Sequence, residues 1–364
     1  MKIEFEENLI SRRALEALSI LREKGFDAYF VGGAVRDLLL GIAPRDFDIA
    51  TSATPFQIKN LIPSSKIIGK RFKLVQIQGK KEKIEISTFR RDPGEPPENL
   101  SLIEKMRWKN RFYGSIKEDA LRRDFTINSL YLDPIKKEII DFTSGLEDLK
   151  NKILRVIGDP YERFMEDPVR MIRVCALSCR LNFKIEEGAE KYIEILKNEI
   201  LLIPKARIGE EILRILKSGA VLKTFEFLER KGILKLIMPF SYNFSKKFIE
   251  ALRIIEKFSQ SFKDEELFIF LFFSLNFESL RGRGFNNLIE KDSFLYRKNF
   301  FENLKFYYDI TLKIFLSKKK NLNFLKSKRF LRVLKFASKL SFVFPEYKKN
   351  VRDWKTFYYK YRKN

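Results

Sequence analysis

Gly32-Gly33-Ala34-Val35-Arg36-Asp37, followed by Arg45-Asp46-Phe47-Asp48-Ile49-Ala50-Thr51, is the stretch on which the fold of this chain turns. Ahead of it, Ala28-Tyr29-Phe30-Val31 reads as a short strand, and Ala34 to Leu40 reads as a helix that Gly41 stops. Two glycines between a strand and a helix let the backbone approach a phosphate, and a helix N-terminus offers free N–H groups there. The same turn also serves plain chain geometry. Arg36 adds a cation beside it. Residues i and i+2 of a strand share a side, so Asp46 and Asp48 aim both carboxylates at one spot. Like charges so placed repel unless a cation lies between them, and carboxylates completed by water and phosphate are the usual Mg²⁺ donors. A lone Asp-x-Asp is a common surface pattern; its place after a Gly-Gly turn makes this one a candidate metal site. Ile84-Glu85-Ile86 adds Glu85, either as a third catalytic carboxylate or as an outward-facing acid.

Outward from this stretch, residues 9–24 carry apolar residues on a helical period. Further strands are expected at 66–69, 72–78 and 83–89, and a strand pair near 128–141 turns at Asp133-Pro134. Residues 90–112, rich in Pro, Glu, Lys and Arg, read as a mobile loop. Beyond about residue 158 helical periods dominate, with breaks near Asn182, Pro204, Gly219, Gly232, Pro239, Gly282 to Gly284 and Pro345. The expected architecture is α+β: a mixed-sheet head over 1–157, a helical segment over 158–240, and a helical body and tail over 241–364.

The net charge of +24 calls for a polyanionic partner, either nucleic acid or an acidic membrane surface. Residues 301–364 hold 18 Lys/Arg against four Asp/Glu and so supply +14 of it. There the cations alternate with Phe, Tyr and Trp, as in Arg329-Phe330 and Tyr358-Tyr359-Lys360-Tyr361-Arg362. Such a pattern suits single-stranded RNA, which needs cations for phosphates and rings for bases, and it equally suits a basic face over an aromatic core. With no histidine, His-ligated zinc and Ser-His-Asp chemistry are excluded. Cys175 and Cys179, the two cysteines, read as packed core thiols. The first residues lack a signal pattern, and the longest apolar run, Leu267 to Leu275, is about half the ~20 residues a membrane helix needs. A cytoplasmic protein without a membrane partner is expected.

The first stretch resembles the first motif of the tRNA nucleotidyltransferase and bacterial poly(A) polymerase family, of the polymerase β-like superfamily. Glu118-Asp119-Ala120-Leu121-Arg122-Arg123-Asp124-Phe125-Thr126-Ile127-Asn128-Ser129-Leu130 is similar to its second motif. Arg163-Phe164-Met165-Glu166-Asp167-Pro168-Val169-Arg170-Met171-Ile172-Arg173 looks like the motif that reads the incoming base. A weaker likeness covers Ala206-Arg207-Ile208-Gly209-Glu210-Glu211 and the stretch to Pro239. The resemblance implies two Mg²⁺ ions on Asp46 and Asp48, and contact of Gly32, Gly33 and Arg36 with a triphosphate. It implies that Arg123 and Asn128 complete the nucleotide pocket, while Asp124 orients arginine neighbours. Asp167 and Arg170, taken as three apart on one helix, would imitate a base-pairing edge; the other possibility is an intrahelical salt bridge. RNA contacts are expected from Lys318, Lys319, Lys320, Lys328, Arg329 and Arg332.

The implied activity is addition of nucleotides to RNA 3′ ends, of mRNA or tRNA. Ile67-Ile68-Gly69-Lys70-Arg71-Phe72-Lys73-Leu74-Val75-Gln76-Ile77 is similar to a signature of the poly(A) branch, so AMP from ATP is expected. CCA addition, which also takes CTP, is the alternative. The family usually has Arg-Phe where this chain has Ala176-Leu177, and Gly where it has Asn182. An inactive RNA-binding relative would have damaged carboxylates, and a peripheral membrane protein would carry a wide apolar face on a basic helix; neither fits these residues.

Overall fold

A computed structural model describes residues 5–69, 73–79, 82–94, 97–101, 104–105, 108, 112–238, 244–283, 300–316, 325 and 329–363. The chain divides into two compact units, Met1–Val174 with Asn182–Leu202, and Cys175–Leu181 with Ile203–Asn364. The boundaries read at 157 and 240 therefore fall inside units. One reason is visible in the backbone: β8 (Ile153–Leu154) pairs in parallel with β9 (Lys184–Ile185), tying the segment after 182 back to the first unit.

The first unit is built on a seven-stranded mixed sheet in the order β3-β4-β5-β2-β1-β6-β7. Its strands are β1 (Ala28–Val31), β2 (Asp46–Thr51), β3 (Lys66–Ile68), β4 (Leu74–Gln78), β5 (Lys83–Thr88), β6 (Tyr131–Asp133) and β7 (Glu138–Ile140). β2 and β5 run parallel; the other neighbours are antiparallel. The expected strands are all present where described, and the 133–134 turn is held by Asp133 Oδ1, which accepts the N–H groups of Ile135 and Lys136.

Alternation decides what each face of the sheet does. Phe30, Phe47, Ile49, Ile84, Ile86, Val75 and Leu132 form one apolar layer. Helices α1 (Arg12–Glu23), α2 (Gly33–Leu39) and α3 (Pro55–Leu61) cover it with Ala14, Leu18, Leu21, Val35, Leu38 and Ile58. Each fully buried Leu, Ile or Phe here contributes about 1.5–3 kcal/mol. The other face holds a smaller cluster of Val31, Ala50, Phe89, Ala120 and Tyr131. Against it lies α4 (Ile116–Leu121), whose start is fixed by a capping box: Ser115 Oγ accepts Glu118 N–H and Glu118 Oε2 accepts Ser115 N–H. The segment expected as a loop over 90–112 has its two ends joined by a bridge between Arg90 and Tyr113. The unit continues through α5 (Gly145–Asn151), α6 (Pro160–Glu166), the start of α7 (Val169–Leu181), and α8 (Glu187–Leu196).

The second unit is helical, with α9 (Lys205–Leu216), α10 (Val221–Arg230), α11 (Leu234–Ile237), α12 (Lys246–Phe258), α13 (Asp264–Arg283), α14 (Phe300–Leu316), α15 (Phe330–Val343) and α16 (Lys348–Lys363). Leu267 through Phe273 on α13 are all at most 2% exposed, so this stretch of the helix is buried all round. Among the described residues no helix is long and apolar enough to cross a membrane.

Candidate active site

β1 leads into Gly32, whose φ of 77° and ψ of −143° suit a residue without Cβ. A Cβ there would stand 3.3 Å from Asp48 Oδ2 and 3.8 Å from Arg123 Nη1, so three elements distant in sequence meet at this turn. Sheet register explains the meeting. Asp48 sits opposite Val31 on β1 and opposite Glu85 on the parallel β5, and Asp46 shares its side of β2. Glu85 thus lies on the carboxylate face, ion-paired with Lys83 and within 3.4 Å of Gln76 Nε2.

Electrostatics mark this spot. Burial first, then Glu85 and Asp46, push the Asp48 carboxyl up to about 6, against the opposing pull of Arg123. The donor set is all oxygen, which suits a hard divalent cation that would offset the crowded charge. Among the described residues no three acidic or cysteine side chains form a closed metal cage. The arrangement fits a metal held by two carboxylates and completed by substrate oxygens.

Arg123 reaches the spot from a rigid mount. Its Nη2 and Nε donate to Asp119 Oδ2 at 3.0 and 3.3 Å, and its Nε also donates to Tyr131 Oη at 3.1 Å. Tyr131 donates to Asp119 at 2.7 Å, and Arg90 N–H donates to its other oxygen at 3.1 Å. Burial works against the Asp119 charge, but Arg123, Arg122 and the Tyr131 hydroxyl outweigh it and hold the carboxyl below its ordinary range. Sequence reasoning missed Asp119 and Tyr131. The four-residue spacing from Asp119 to Arg123 was the available signal.

Arg36 is only 3% exposed, and its guanidinium is engaged within the protein. Nε and Nη2 donate to Asp37 Oδ1, and Nη1 donates to Asn128 Oδ1 at 2.6 Å. Asn128 in turn donates to Asp124 Oδ1 at 3.3 Å, and Asp124 Oδ2 faces Arg173 at 3.7 Å. A polar chain therefore links all three motifs, and it places Arg36 and Asn128 as mutual supports beside the Gly-Gly turn. The arginine that Asp124 faces is Arg173.

The third motif departs from expectation. Asp167 and Arg170 do not share a helix: α6 ends at Glu166, and Asp167 is extended with φ −148° and ψ 90°. Pro168 is the cause, since the residue before proline is driven out of the helical region. Asp167 Oδ1 accepts Val169 N–H at 3.3 Å, and Arg170 Nη1 pairs with Glu166 Oε2 at 2.6 Å. Arg163 shares Glu166 and donates to the carbonyls of Arg122 and Arg123 at 2.8 and 2.7 Å, clamping the second motif. Arg163 and Glu166 are further residues that sequence reasoning passed over, though their three- and four-residue spacings were visible.

In the second unit the expected RNA contacts fare differently. Lys318, Lys319, Lys320 and Lys328 lie outside the described residues. Arg329 lies over the Phe306 ring at 4.7 Å and donates to Asn303, while Arg332 is ion-paired with Glu266. Phe330, Trp354 and Tyr358 are at most 4% exposed, so much of the aromatic pattern of the tail is core. Cys175 and Cys179 are buried free thiols, as expected. Asn182 has φ 58°, a left-handed position that asparagine tolerates in place of glycine.

Residues 28–155 match the poly(A) polymerase head domain, and residues 182–243 match the probable RNA- and SrmB-binding site of polymerase A. Poly(A) polymerase I of Haemophilus influenzae is 40% identical over 233 residues, which are 63% of this chain and 52% of that protein. The CCA-adding enzyme of Lactobacillus helveticus is 39% identical over 207 residues, 56% of this chain and 49% of that protein. The chain thus spans about half the length of the curated relatives it matches. Among solved structures, the Bacillus stearothermophilus CCA-adding enzyme in complex with CTP superposes with a TM-score of 0.64 at 25% identity, covering 94% of this chain and 82% of that one. A tRNA nucleotidyltransferase complexed with a primer tRNA and an incoming ATP analog gives 0.59 at 26% identity, covering 96% and 100%. With the head domain and the region after it both matched, the chain belongs to the poly(A) polymerase and tRNA nucleotidyltransferase family.

Proposed function

We propose that this chain adds AMP from ATP to RNA 3′ ends without a template, as a poly(A) polymerase. The observation that carries the chemistry is the convergence of Asp48, Gly32 and Arg123 at one point of the sheet face, with Asp46 beside it. In the reaction the RNA 3′ oxygen attacks the α-phosphorus, the bond from that phosphorus to the bridging oxygen breaks, and pyrophosphate leaves. Asp46 and Asp48 would hold two Mg²⁺ ions, which when bound make the 3′-hydroxyl more acidic and offset charge on the triphosphate. Gly32 and Gly33 leave room for phosphate oxygens, and Arg123 brings a fixed positive charge to them. Arg36 and Asn128 brace the turn. Asp167 and Arg170 are the groups assigned to the base edge, with Glu166 setting the direction of Arg170. Glu85, one strand over, adds negative charge to the carboxylate face. A cytoplasmic setting accords with this activity.

AMP is favoured over CCA because the match to poly(A) polymerase I covers 233 residues of the chain, against 207 for the CCA-adding relative. CCA addition is the second reading, supported by the similar identity of that relative and by the CTP complex among the structural neighbours. The test is incubation with Mg²⁺ and each labelled nucleotide, using an unstructured RNA and a tRNA lacking its CCA end. Long adenylate tails on both RNAs are expected. Incorporation of C, C and A on tRNA alone would overturn the poly(A) assignment. Asp48→Ala should abolish incorporation while RNA binding persists, and retained incorporation would overturn the site.

A further inference from the structure

Between Asp48 and Glu82 the sequence holds no acid: residues 49–81 contain seven Lys/Arg and no Asp or Glu. The chain's own acid frequency would put about four there. This stretch builds α3, β3 and β4, and so the β3 edge of the catalytic sheet. Register then connects the edge to the site. Asp48 lies opposite Glu85, Glu85 opposite Gln76, and Gln76 opposite Lys66, which places Lys66 in the same cross-strand row and on the same face as the metal-binding carboxylate. Lys66 is exposed.

Around the edge stands Phe56, in the first turn of α3. Pro55 and Ile58 are the buried positions of that helix, while Phe56 is 61% exposed. The exposed Lys73 sets its ammonium over the Phe56 ring at 4.6 Å. Lys59 is occupied otherwise, donating to the carbonyls of Pro63 and Ser65. An exposed ring with an exposed ammonium over it, in a stretch of sequence that holds no acid, is the combination that holds unstacked bases and phosphates together. An edge strand also gains from a lysine that discourages pairing with other sheets. That role accounts for Lys66 and leaves Phe56 with its cation unexplained.

We propose that Lys66, Lys73 and Phe56 form a track for single-stranded RNA upstream of its 3′ end. This rests on the nucleotidyltransferase reading above. The RNA leaves the carboxylates toward the β3 edge, meets Lys66 there, and passes the edge to stack a base on Phe56. Three strand spacings separate β2 from β3, about 14 Å, or roughly four stacked nucleotides at about 3.4 Å each. The track therefore grips RNA by backbone and ring without reading sequence, as extension of unrelated RNAs requires.

The test compares binding of the full chain to oligoadenylates of about four and about twelve nucleotides, over a range of salt. Wild type should gain affinity with length. In Phe56→Ala the long RNA should bind about fivefold or more weakly, and Phe56→Trp should bind as wild type. In Lys66→Glu with Lys73→Glu the slope of log affinity against log salt should shrink by about 1.4. Long-RNA affinity within about twofold of wild type in both variants, with an unchanged slope, overturns the track. A wild-type chain that neither binds nor extends any RNA overturns the nucleotidyltransferase reading itself; binding and extension with unaffected variants overturns the track alone.

Discussion

Replacing Asp119 with asparagine should show how much the second motif depends on one buried anion. Asp119 is 3% exposed and accepts Tyr131 at 2.7 Å, Arg123 at 3.0 Å and the Arg90 N–H at 3.1 Å, with Arg122 Nε at 3.5 Å. An asparagine in its place would keep the shape, remove the charge and turn one acceptor into a donor that faces donors. Breaking a buried ion pair by removing one partner costs about 3–5 kcal/mol. Summing two lost charge-assisted hydrogen bonds at about 1.5–3 kcal/mol each gives about 3–6 kcal/mol, which overlaps that range. Against a typical total of about 5–15 kcal/mol, that is a large share. Urea unfolding followed by circular dichroism should therefore show a loss of about 3 kcal/mol or more in Asp119→Asn. Its pH dependence has a definite sign. A carboxyl held below its ordinary value contributes stability that is present above about 4 and is lost as pH falls through the depressed value. The gap between wild type and variant should stay constant down to about pH 4 and close below it. Arg123 also loses its anchor, so the KM for ATP should rise under conditions where the variant remains folded. A loss under about 1 kcal/mol with an unchanged KM would refute the claim that Asp119 positions Arg123.

Gly32→Ala forces a side chain into a backbone region that costs about 1–3 kcal/mol, and sets a Cβ 3.3 Å from Asp48 Oδ2. Incorporation should fall sharply, whereas Gly25→Ala, with φ 81° and nothing within 4 Å of its Cβ, should lose stability alone; equal activities in the two variants would count against the turn. In the helical unit, Glu266 is 5% exposed and accepts from Tyr307 and Arg332; burial opposes its charge, but Arg332 and Tyr307 hold its carboxyl low. Glu266→Gln should destabilise that unit by about 3 kcal/mol at pH 7, with the difference constant down to about pH 4.5 and closing as pH falls further through the depressed value of the wild-type carboxyl; a pH-independent difference measured by urea unfolding would show that packing is the cause.

The strand, turn, helix and strand of residues 28–51 were legible because short-range rules fix them. Gly32 needs no Cβ, alternation puts Phe47 inward, and two-residue spacing puts Asp46 and Asp48 together. The row from Asp48 through Glu85 and Gln76 to Lys66 was not legible, since it depends on which strands pair and in what register. Nor was the choice of partners. Arg36, Arg123 and Arg170 all read as ligand-facing cations; the fold braces Arg36 with Asn128 and Arg123 with Tyr131, whereas Asp119 and Glu166 stand only four residues from the arginines they hold. The aromatic tail left two readings open for a related reason: a basic amphipathic helix and an RNA groove share one composition, and only burial places Trp354 and Phe330 in the core.

The acids of this protein sort the structural from the functional more sharply than sequence could. Asp119, Asp133 and Glu266 are all held below their ordinary range by donors that the fold brings to them. Asp48 is displaced the other way, because the fold buries it and sets Glu85 across from it and Asp46 beside it. Folding alone gains nothing from such an arrangement, and simple stability would favour an apolar residue there. Glu85 is best understood in this light: as a neighbour in register it raises the cost of the bare Asp48 carboxylate and so strengthens the hold on any divalent cation. Removing Glu85 should therefore weaken Mg²⁺ stabilisation of the head against heat even in the absence of nucleotide, a shift that a bystander on the same strand would not produce.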